Sequence, residues 1–274
     1  MRFDHPAWRS HPLRTGARMA QSLVRRRVPS LRRPVVGVGH GVRMRADLGT
    51  AMGLYLYRYG VEEERDVALC CRVLKPGDRF VDGGANVGMF SIPAAGRVGP
   101  EGKVLAFEPV PGTAARLREN AALNGFSWVE VREEAIAAAE GAREFVMLGG
   151  DAAGLSAFTP EHREGGEVRR VRAVTLDAVV GDGPVRLIKL DLEGAEVEAL
   201  RGGGAVLARQ RPDLVLEVVP GQLERAGSTA AELFALLRAA GYRISWIAPD
   251  GTLLPAEGAG VDPTGHPNVF ASAR

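Results

Sequence analysis

The sequence predicts an α/β fold built on a mainly parallel sheet, and three observations support this class. A short apolar run, 79–81, leads into an acidic residue and a glycine-rich turn, 82–88, and then into a helix-compatible stretch. Strand-like and helix-like segments then alternate along the chain, which is typical of parallel strands joined by helical crossovers. Most of the strand-like segments also end in an acidic residue. With 274 residues, 46% hydrophobic and 25% charged, the chain is long enough for one large α/β domain or two small ones.

The first 33 residues form a basic segment. It contains nine arginines and one acidic residue, Asp4, so its net charge is +8, whereas the rest of the chain carries −6. We predict that residues 1–33 are a flexible or loosely docked arm. A contact with nucleic acid or with an anionic membrane is the alternative, because arginines occur in runs at 25–27 and 32–33. No aromatic interleaving or RNA-binding motif supports the nucleic-acid contact.

Residues 34–75 are predicted to form a cap in front of the main domain, 76–274. Glycines and alternating apolar residues between 35 and 48 are typical of a hairpin, and 63–74 has apolar residues at helical spacing. A Lys-Pro-Gly-Asp segment follows and ends that helix.

The cysteines and the lengths of the apolar runs indicate the cellular compartment in which the protein is expected. Cys70 and Cys71 are adjacent, which is neither a disulfide framework nor a metal-ligand spacing, and this usage fits a reducing compartment. No apolar run approaches the ~20 residues of a spanning helix, and the N-terminus has no apolar core of signal-peptide length. We therefore expect a cytoplasmic protein without a membrane span.

The main domain carries the alternating elements. Its strands are predicted at 79–81, 103–107, 128–132, 186–190, 214–218 and 243–247, with a last antiparallel strand at 268–270. Its helices are predicted at 89–97, 113–123, 195–200 and 230–240. Segments 144–148 and 168–176 have the pattern of an inserted hairpin, around a loop in which Ser156 could line an acceptor pocket.

The turn at 82–88 (DGGANVG) was examined for the ligand that it suits. It lacks the lysine of a phosphate-binding loop and the Gly-x-Gly-x-x-Gly spacing of a dinucleotide fingerprint. Glycine permits a positive φ and the close approach of a ligand. The acidic Asp82 at the end of the strand favours a cationic ligand over a pyrophosphate.

Acidic residues mark the carboxyl ends of the predicted strands, where ligands of open α/β sheets bind. These residues are Asp82, Glu108, Glu133 or Glu134, Asp191 with Glu193, and Glu217. No basic residues that would bind phosphate stand at these strand ends, which argues against ATP or NADP. The acids suit a ligand with hydroxyls and positive charge. Glu108 lies 20 residues beyond Gly88 and could bind both hydroxyls of a ribose. S-adenosylmethionine meets these requirements; NAD also accepts such a ribose contact and stays an alternative.

Three segments in order carry a family resemblance: FVDGGANVG at 80–88, VLAFEP at 104–109 and IKLDLEGAE at 188–196. They resemble the FkbM family of S-adenosylmethionine-dependent methyltransferases. YGVEE at 59–63, KPGD at 75–78 and RPDLVLE at 211–217 fit the same pattern, so the resemblance covers roughly 35–270. It implies a class I methyltransferase with a Rossmann-like, seven-stranded sheet in the order 3-2-1-4-5-7-6.

The resemblance also implies S-adenosyl-L-methionine as the cofactor and hydroxyls of sugars, polyketides or other secondary metabolites as acceptors. It assigns the methionine portion of the cofactor to Asp82, Gly84 and Gly88, the ribose to Glu108, and the adenine to the turn at 133–134. The candidate cofactor-binding residues are Asp82, Gly84, Asn86, Gly88, Glu108, Pro109, Glu133, Glu134 and Asp191.

Asp191, Glu193 and Lys189 are the candidate catalytic residues. An alcohol needs a base to take its proton during methyl transfer, and Asp191 and Glu193 follow the fourth strand at the mouth of the sheet. Lys189 alternates with Asp191 and could keep it ionised or orient the substrate. The acids could instead cap the helix that follows. Glu217 could reach the same mouth. No metal is predicted, although Asp191 and Glu217 together could bind magnesium.

We therefore predict an S-adenosylmethionine-dependent O-methyltransferase that acts on a hydroxyl of a small molecule. Two alternatives remain: a nucleic-acid methyltransferase that uses the basic arm, and a NAD-dependent oxidoreductase or binding module on a similar sheet. An Asn/Asp-Pro-Pro-Tyr/Phe motif is absent from the sequence, so a nucleic-acid partner is not expected. The sequence leaves the oligomeric state open.

Overall fold

The computed structural model describes residues 12–60, 64–147, 167–256 and 267–273. Its strands, in chain order, are β1 (Val35–Gly37), β2 (Arg43–Arg45), β3 (Arg79–Gly83), β4 (Lys103–Phe107), β5 (Val129–Arg132), β6 (Glu134–Ile136), β7 (Gly141–Met147), β8 (Glu167–Val174), β9 (Leu187–Leu190), β10 (Asp213–Glu217), β11 (Arg243–Ile247), β12 (Leu253–Pro255) and β13 (Asn268–Ser272). Its α-helices are α1 (Pro12–Arg25), α2 (Ala51–Tyr59), α3 (Glu64–Val73), α4 (Ser91–Val98), α5 (Pro111–Leu123), α6 (Leu176–Val180), α7 (Glu196–Arg201), α8 (Gly204–Arg209), α9 (Pro220–Arg225) and α10 (Ala230–Ala239).

An eight-stranded mixed sheet is the centre of the fold, and its order is β12-β11-β13-β10-β9-β3-β4-β5. The strands from β10 to β5 in this order are parallel, whereas β13 is antiparallel to both of its neighbours. The α/β class is confirmed. The sheet has one strand more than the seven predicted, because β12 pairs antiparallel with β11 at the edge.

The alternation of side chains along the strands divides the core between the two faces of the sheet. Phe80 belongs to the apolar cluster on one face and Val81 to the cluster on the other, and the same holds for Val104 and Leu105. The first cluster includes the cap, α3 and α4, and the second includes residues of α6, α7, α8 and α10. Both faces are covered, so the carboxyl ends of the parallel strands are the part of the sheet left for a ligand.

The cap consists of a hairpin and two helices. Strands β1 and β2 pair antiparallel, and Asn120 and Asn124 of α5 accept hydrogen bonds from the backbone N–H groups of Arg45 and Arg43. The predicted hairpin within 35–48 is confirmed, and residues 51–59, for which no element was predicted, form α2. Thr50 starts this helix by accepting a hydrogen bond from the Gly53 N–H at 3.0 Å.

Part of the basic segment is helical. Helix α1 lies against α2, where the Tyr57 hydroxyl donates to Gln21 Oε1 at 2.8 Å and the Arg58 guanidinium donates to Ser22 Oγ at 2.9 Å. Through these contacts residues 12–25 dock on α2 as a helix, an element that the arginine content did not predict. None of the helices in the described ranges is long and apolar enough to span a bilayer.

A three-stranded sheet, in the order β6-β8-β7, is separate from the main one. Strands β7 and β8 are the predicted inserted hairpin, with bounds of 141–147 and 167–174. Strand β6, which the sequence did not predict, pairs parallel with β8. Ser156 lies outside the described residues.

Candidate active site

The glycine-rich turn after β3 is held against the end of β4. The N–H groups of Gly84 and Ala85 both donate to the Phe107 carbonyl, at 3.0 and 2.9 Å. The next N–H, of Asn86, donates to Glu108 Oε2 at 3.0 Å, and Glu108 Oε1 accepts from the Val110 N–H at 2.8 Å. Glu108 thereby joins the turn after β3 to the turn after β4, and each of its oxygens serves one backbone amide. Pro109, which lies between Glu108 and Val110 in the sequence, is half-buried.

Two glycines of this turn are required by the chain itself. Gly84 has a φ of +72°, and a Cβ there would lie 1.9 Å from the Asp191 carbonyl oxygen. Gly88 has a φ of +99°, and a Cβ there would lie 2.4 Å from Leu117 Cδ1. The sequence analysis attributed the glycines to positive φ and to the approach of a ligand. The structure shows the positive φ and adds a second reason, the close packing of the turn on the segment after β9 and on α5.

A lysine ammonium joins the ends of β3 and β9. Lys189 is buried, and its Nζ lies 3.2 Å from Asp191 Oδ2, 3.7 Å from Asp82 Oδ1 and 3.4 Å from the Gly84 carbonyl oxygen. It also lies over the Phe90 ring, 4.8 Å from the centroid, a favourable contact for a cation. We call Asp82, Glu108, Lys189 and Asp191 the Lys189 cluster. The structure thus brings together four of the residues that the sequence singled out.

Burial sets the protonation of two acids in the Lys189 cluster. Burial raises the pKa of Asp82, while Lys189 and the hydrogen bond from Ser91 Oγ, at 2.5 Å, act in the opposite direction. Burial also raises the pKa of Glu108 to about 7, against the lowering effect of the two backbone N–H donors. Asp82 is completely buried. It supports the turn through its contacts with Ser91 and Lys189.

Asp191 is the accessible acid of this group. Its side chain is 32% exposed, whereas that of Lys189 is 5% exposed. Its own N–H donates to the Gly83 carbonyl, which continues the pairing of β9 with β3 by one residue. The carboxylate therefore stands at the mouth of the sheet while its ammonium partner is held in the interior.

The turn after Asp191 is supported by a residue that the sequence analysis quoted but gave no role. Glu196 is buried, and its Oε1 accepts hydrogen bonds from the N–H groups of Leu192, at 2.6 Å, and Gly194, at 3.4 Å. Burial raises its pKa to about 7. Its spacing from these amides, four and two residues, is not that of a capping box, so the sequence carried no signal for this role.

Glu193 contacts the start of α9. It has a φ of +56°, and its Oε2 accepts a hydrogen bond from Gln222 Nε2 at 2.7 Å. The neighbouring Gly194 has a φ of +107°, and a Cβ there would lie 2.4 Å from the Gln222 carbonyl oxygen. The turn and the start of α9 are therefore in close contact.

The predicted adenine turn contains two acids that have different partners. Glu133 lies at the surface, where its Oε1 is 2.5 Å from Arg118 NH1. Glu134 is buried in β6, with ion pairs to Arg132 at 2.7 Å and Arg172 at 3.3 Å. Among the described residues, the ion pairs of both acids are with arginines, and the structure does not bring these acids together with the Lys189 cluster.

Glu217 is half-buried at the end of β10, the strand next to β9. Within the described ranges, no group of three or more His, Cys, Asp or Glu side chains is arranged to hold a metal ion.

A mainly parallel sheet with acids at the carboxyl ends of its central strands is typical of an α/β domain that binds a ligand at this edge. The model of the family described as "Methyltransferase FkbM domain" matches residues 82–244, more than half of the chain. The chain belongs to this family.

Two named relatives and one solved structure are similar to this chain. The chain is 26% identical over 196 residues to "Methyltransferase 1" of Beauveria bassiana, covering 64% of this chain and 76% of that protein. It is 31% identical over 215 residues to the "AMB antimetabolite synthetase AmbE" of Pseudomonas aeruginosa, covering 63% of this chain and 10% of that protein. Among solved structures, the methyltransferase FkbM of Methylobacillus flagellatus aligns with 94% of this chain and 60% of its own, at 15% identity and a TM-score of 0.45.

Proposed function

We propose that this protein transfers a methyl group from S-adenosylmethionine to a hydroxyl of a small molecule. The observation that carries the proposal is the composition of the Lys189 cluster, in which Asp82, Glu108 and Asp191 are grouped around a single ammonium. Acids therefore outnumber bases at the carboxyl ends of the central strands. Burial raises the pKa of Asp82 and that of Glu108, and a sulfonium cation favours their ionised forms, whereas a phosphate opposes them.

Glu108 fits the ribose of this cofactor. Each of its oxygens accepts one backbone N–H, and a carboxylate oxygen can accept more than one hydrogen bond. One acceptor position on each oxygen is therefore available to a ribose hydroxyl. The two backbone donors orient the carboxylate before the cofactor arrives, which reduces the cost of ordering it on binding.

A pyrophosphate fits the turn after β3 poorly, and this disfavours NAD. A pyrophosphate needs several free N–H groups at such a turn. Here the N–H groups of residues 84–88 all donate within the chain, to the carbonyl oxygens of Phe107 and Ala85, to Glu108, and to Asn86 Oδ1. A dinucleotide would have to break these bonds.

Asp191 is assigned as the base. When bound, S-adenosylmethionine supplies the methyl group and a thioether leaving group. Asp191 accepts the proton of the substrate hydroxyl, for which its exposed position is suited, and Lys189 orients the carboxylate through the 3.2 Å contact. Glu193 positions the turn through Gln222 and is not assigned to proton transfer.

The acceptor class rests on the family and its relatives. The relative AmbE is named as an antimetabolite synthetase, which supports a secondary metabolite as the acceptor. We assign a hydroxyl because Asp191 provides a base. An alcohol depends on such a base more strongly than an amine does.

Calorimetry with S-adenosylhomocysteine and with NAD tests the proposed function. The protein is expected to bind S-adenosylhomocysteine and not NAD. A panel of hydroxylated and amino compounds with labelled S-adenosylmethionine then tests the acceptor, and label should appear in the hydroxylated compounds. Binding of NAD alone, or transfer only to amines, would contradict the proposal.

A further inference from the structure

Helix α1 has an inverted arrangement of polar and apolar side chains. The residues buried against the body of the protein are Thr15, Met19 and Ser22, two of them polar. The outward side carries exposed residues at helical spacing, namely Leu13, Ala17, Ala20 and Val24. A surface helix normally turns its apolar stripe inward, so this helix has its apolar stripe on the opposite side.

The apolar stripe extends beyond the helix. Leu13 is 89% exposed, Val24 63% and Leu23 51%. Val28 and Leu31, in and before the short 3-10 turn Pro29–Leu31, are also exposed. Scattered exposed apolar residues need no explanation, but a contiguous series on one segment marks an interaction surface. We call residues 12–33 the basic amphipathic segment.

The charge of this segment has one sign. Residues 12–33 contain seven arginines, and no acidic residue occurs between 12 and 46. Four of the arginines have partners: Arg18 and Arg25 lie over the Tyr57 ring, and Arg32 and Arg33 form ion pairs with Asp47 and Glu119. Arg14, Arg26 and Arg27 form no ion pair within the part of the chain that the structure describes.

We propose that the basic amphipathic segment binds the surface of an anionic membrane. A segment with exposed Leu and Val beside unpaired arginines can insert the apolar side chains among the acyl chains and place the guanidinium groups at anionic headgroups. A second copy of the chain is a poorer occupant, because facing stripes would bring two sets of like charges together. Nucleic acid would satisfy the arginines but leave Leu13, Leu23 and Val24 in water.

The segment would attach the protein to one side of the bilayer without crossing it. Its contacts with Tyr57 and Arg58 hold the inward side of α1 against α2, so the outward side can reach a membrane while the fold stays intact. The surface is then available without unfolding of the cap.

Vesicle flotation of the full chain tests this proposal. We compare vesicles of phosphatidylcholine with vesicles that also contain phosphatidylglycerol. The wild-type chain is expected to float with the anionic vesicles, to float far less with phosphatidylcholine alone, and to be released by salt. Equal binding to both vesicle types, or to neither, would overturn the proposal.

Two pairs of variants separate the apolar and the charged contributions. The double variant Leu23→Ser/Val24→Ser should reduce the partition constant by roughly tenfold or more, and Arg26→Gln/Arg27→Gln should do the same. The matched controls are Val168→Ser, whose side chain is 51% exposed on β8, and Arg209→Gln/Arg225→Gln, which removes two exposed arginines elsewhere. The controls should bind as the wild type does. A loss of binding in the controls equal to that in the test variants would overturn the proposal.

The same samples report on other occupants. Circular dichroism should show that each variant is folded, since the altered side chains are exposed. Sedimentation should give the same oligomeric state for the wild type and for Leu23→Ser/Val24→Ser. A wild-type oligomer that this variant dissociates, or displacement of the vesicles by a short RNA, would assign the surface to a different occupant and overturn the proposal.

Discussion

Glu108 joins two turns of the fold and is also the residue that we propose for the ribose. Because each carboxylate oxygen already holds one backbone N–H, the residue needs no rearrangement to receive a diol. Removal of its charge should therefore affect the affinity for the cofactor directly.

We expect Glu108→Gln to weaken binding of S-adenosylhomocysteine by roughly 10- to 100-fold, since glutamine keeps only one acceptor oxygen and a hydrogen bond to a charged group contributes about 1.5–3 kcal/mol. Calorimetry provides the dissociation constant. Glu130→Gln is the matched control, because Glu130 is an exposed glutamate of β5 that forms an ion pair with Lys103. A constant that changes equally in both variants would remove Glu108 from the ribose site.

Asp191→Asn should separate catalysis from binding. The variant keeps the shape of the side chain and loses the base, so we expect turnover to fall by about 10²–10⁴-fold while the affinity for S-adenosylhomocysteine changes little. Glu193→Gln should have a smaller effect on turnover, because Glu193 contacts Gln222. Full activity of Asp191→Asn would show that another group takes the proton.

Most of the residues in the Lys189 cluster were predictable from the sequence, because acids that end parallel strands meet at one edge of the sheet. The role of Glu196 was not predictable in the same way. Its role depends on its complete burial and on the hydrogen bonds that its Oε1 accepts from two backbone amides. Both are properties of the folded turn. Likewise, the side chains of Glu193 and Asp191 have different partners. Glu193 has a positive φ, which the sequence does not reveal.

At the scale of the elements, the turn after β3 and the segment after β9 are in unusually close contact. Gly84 and Gly125 have the same φ, +72°, but a Cβ at Gly125 would meet nothing within 4 Å. The pair therefore distinguishes the cost of the backbone conformation from the cost of the contact with the Asp191 carbonyl.

We expect Gly125→Ala to lower the free energy of unfolding by about 1–2 kcal/mol, the usual cost of a left-handed conformation for alanine. Gly84→Ala should cost clearly more and should also reduce cofactor affinity, because the turn or the segment at Asp191 must move. Denaturant unfolding measures both. Equal losses for the two variants would mean that the 1.9 Å approach at Gly84 is relieved without consequence.

The strands of the main sheet were largely predictable, whereas five helices were missed, and three of these five are short. Strands β4 and β11 have the predicted bounds, and α10 differs by one residue at its end. The missed helices α6, α8 and α9 have five or six residues, too few to establish an apolar periodicity. Helix α1 was missed for a different reason: its arginines dominate its composition, and its inward side is mainly polar.

At the scale of the whole molecule, buried carboxyl groups link stability to pH. The pKa of Glu108 and that of Glu196 are both raised to about 7 from 4.5, with burial as the main cause. Between these values the folded state holds protons that the unfolded state has released. The protein should therefore lose stability as the pH rises from about 4.5 to about 7 and change less above that range.

Each of these groups contributes a slope of up to about 1.4 kcal/mol per pH unit within this window. We expect Glu196→Gln to flatten the pH dependence, since its carbonyl oxygen can still accept from Leu192 and Gly194 while no proton is exchanged. Denaturant unfolding from acidic to neutral pH, without cofactor, measures the effect. An unchanged slope in this variant would indicate that Glu196 ionises normally in the folded protein.

The position of β13 has a consequence for the order in which the fold can be completed. This strand lies between β10 and β11, which both precede it in the chain, and pairs antiparallel with each. During synthesis, β11 therefore cannot take its place in the sheet until residue 272 has left the ribosome. Until then, the nascent chain presents two unpaired strand edges, and these are the sites at which chaperone binding or aggregation would begin.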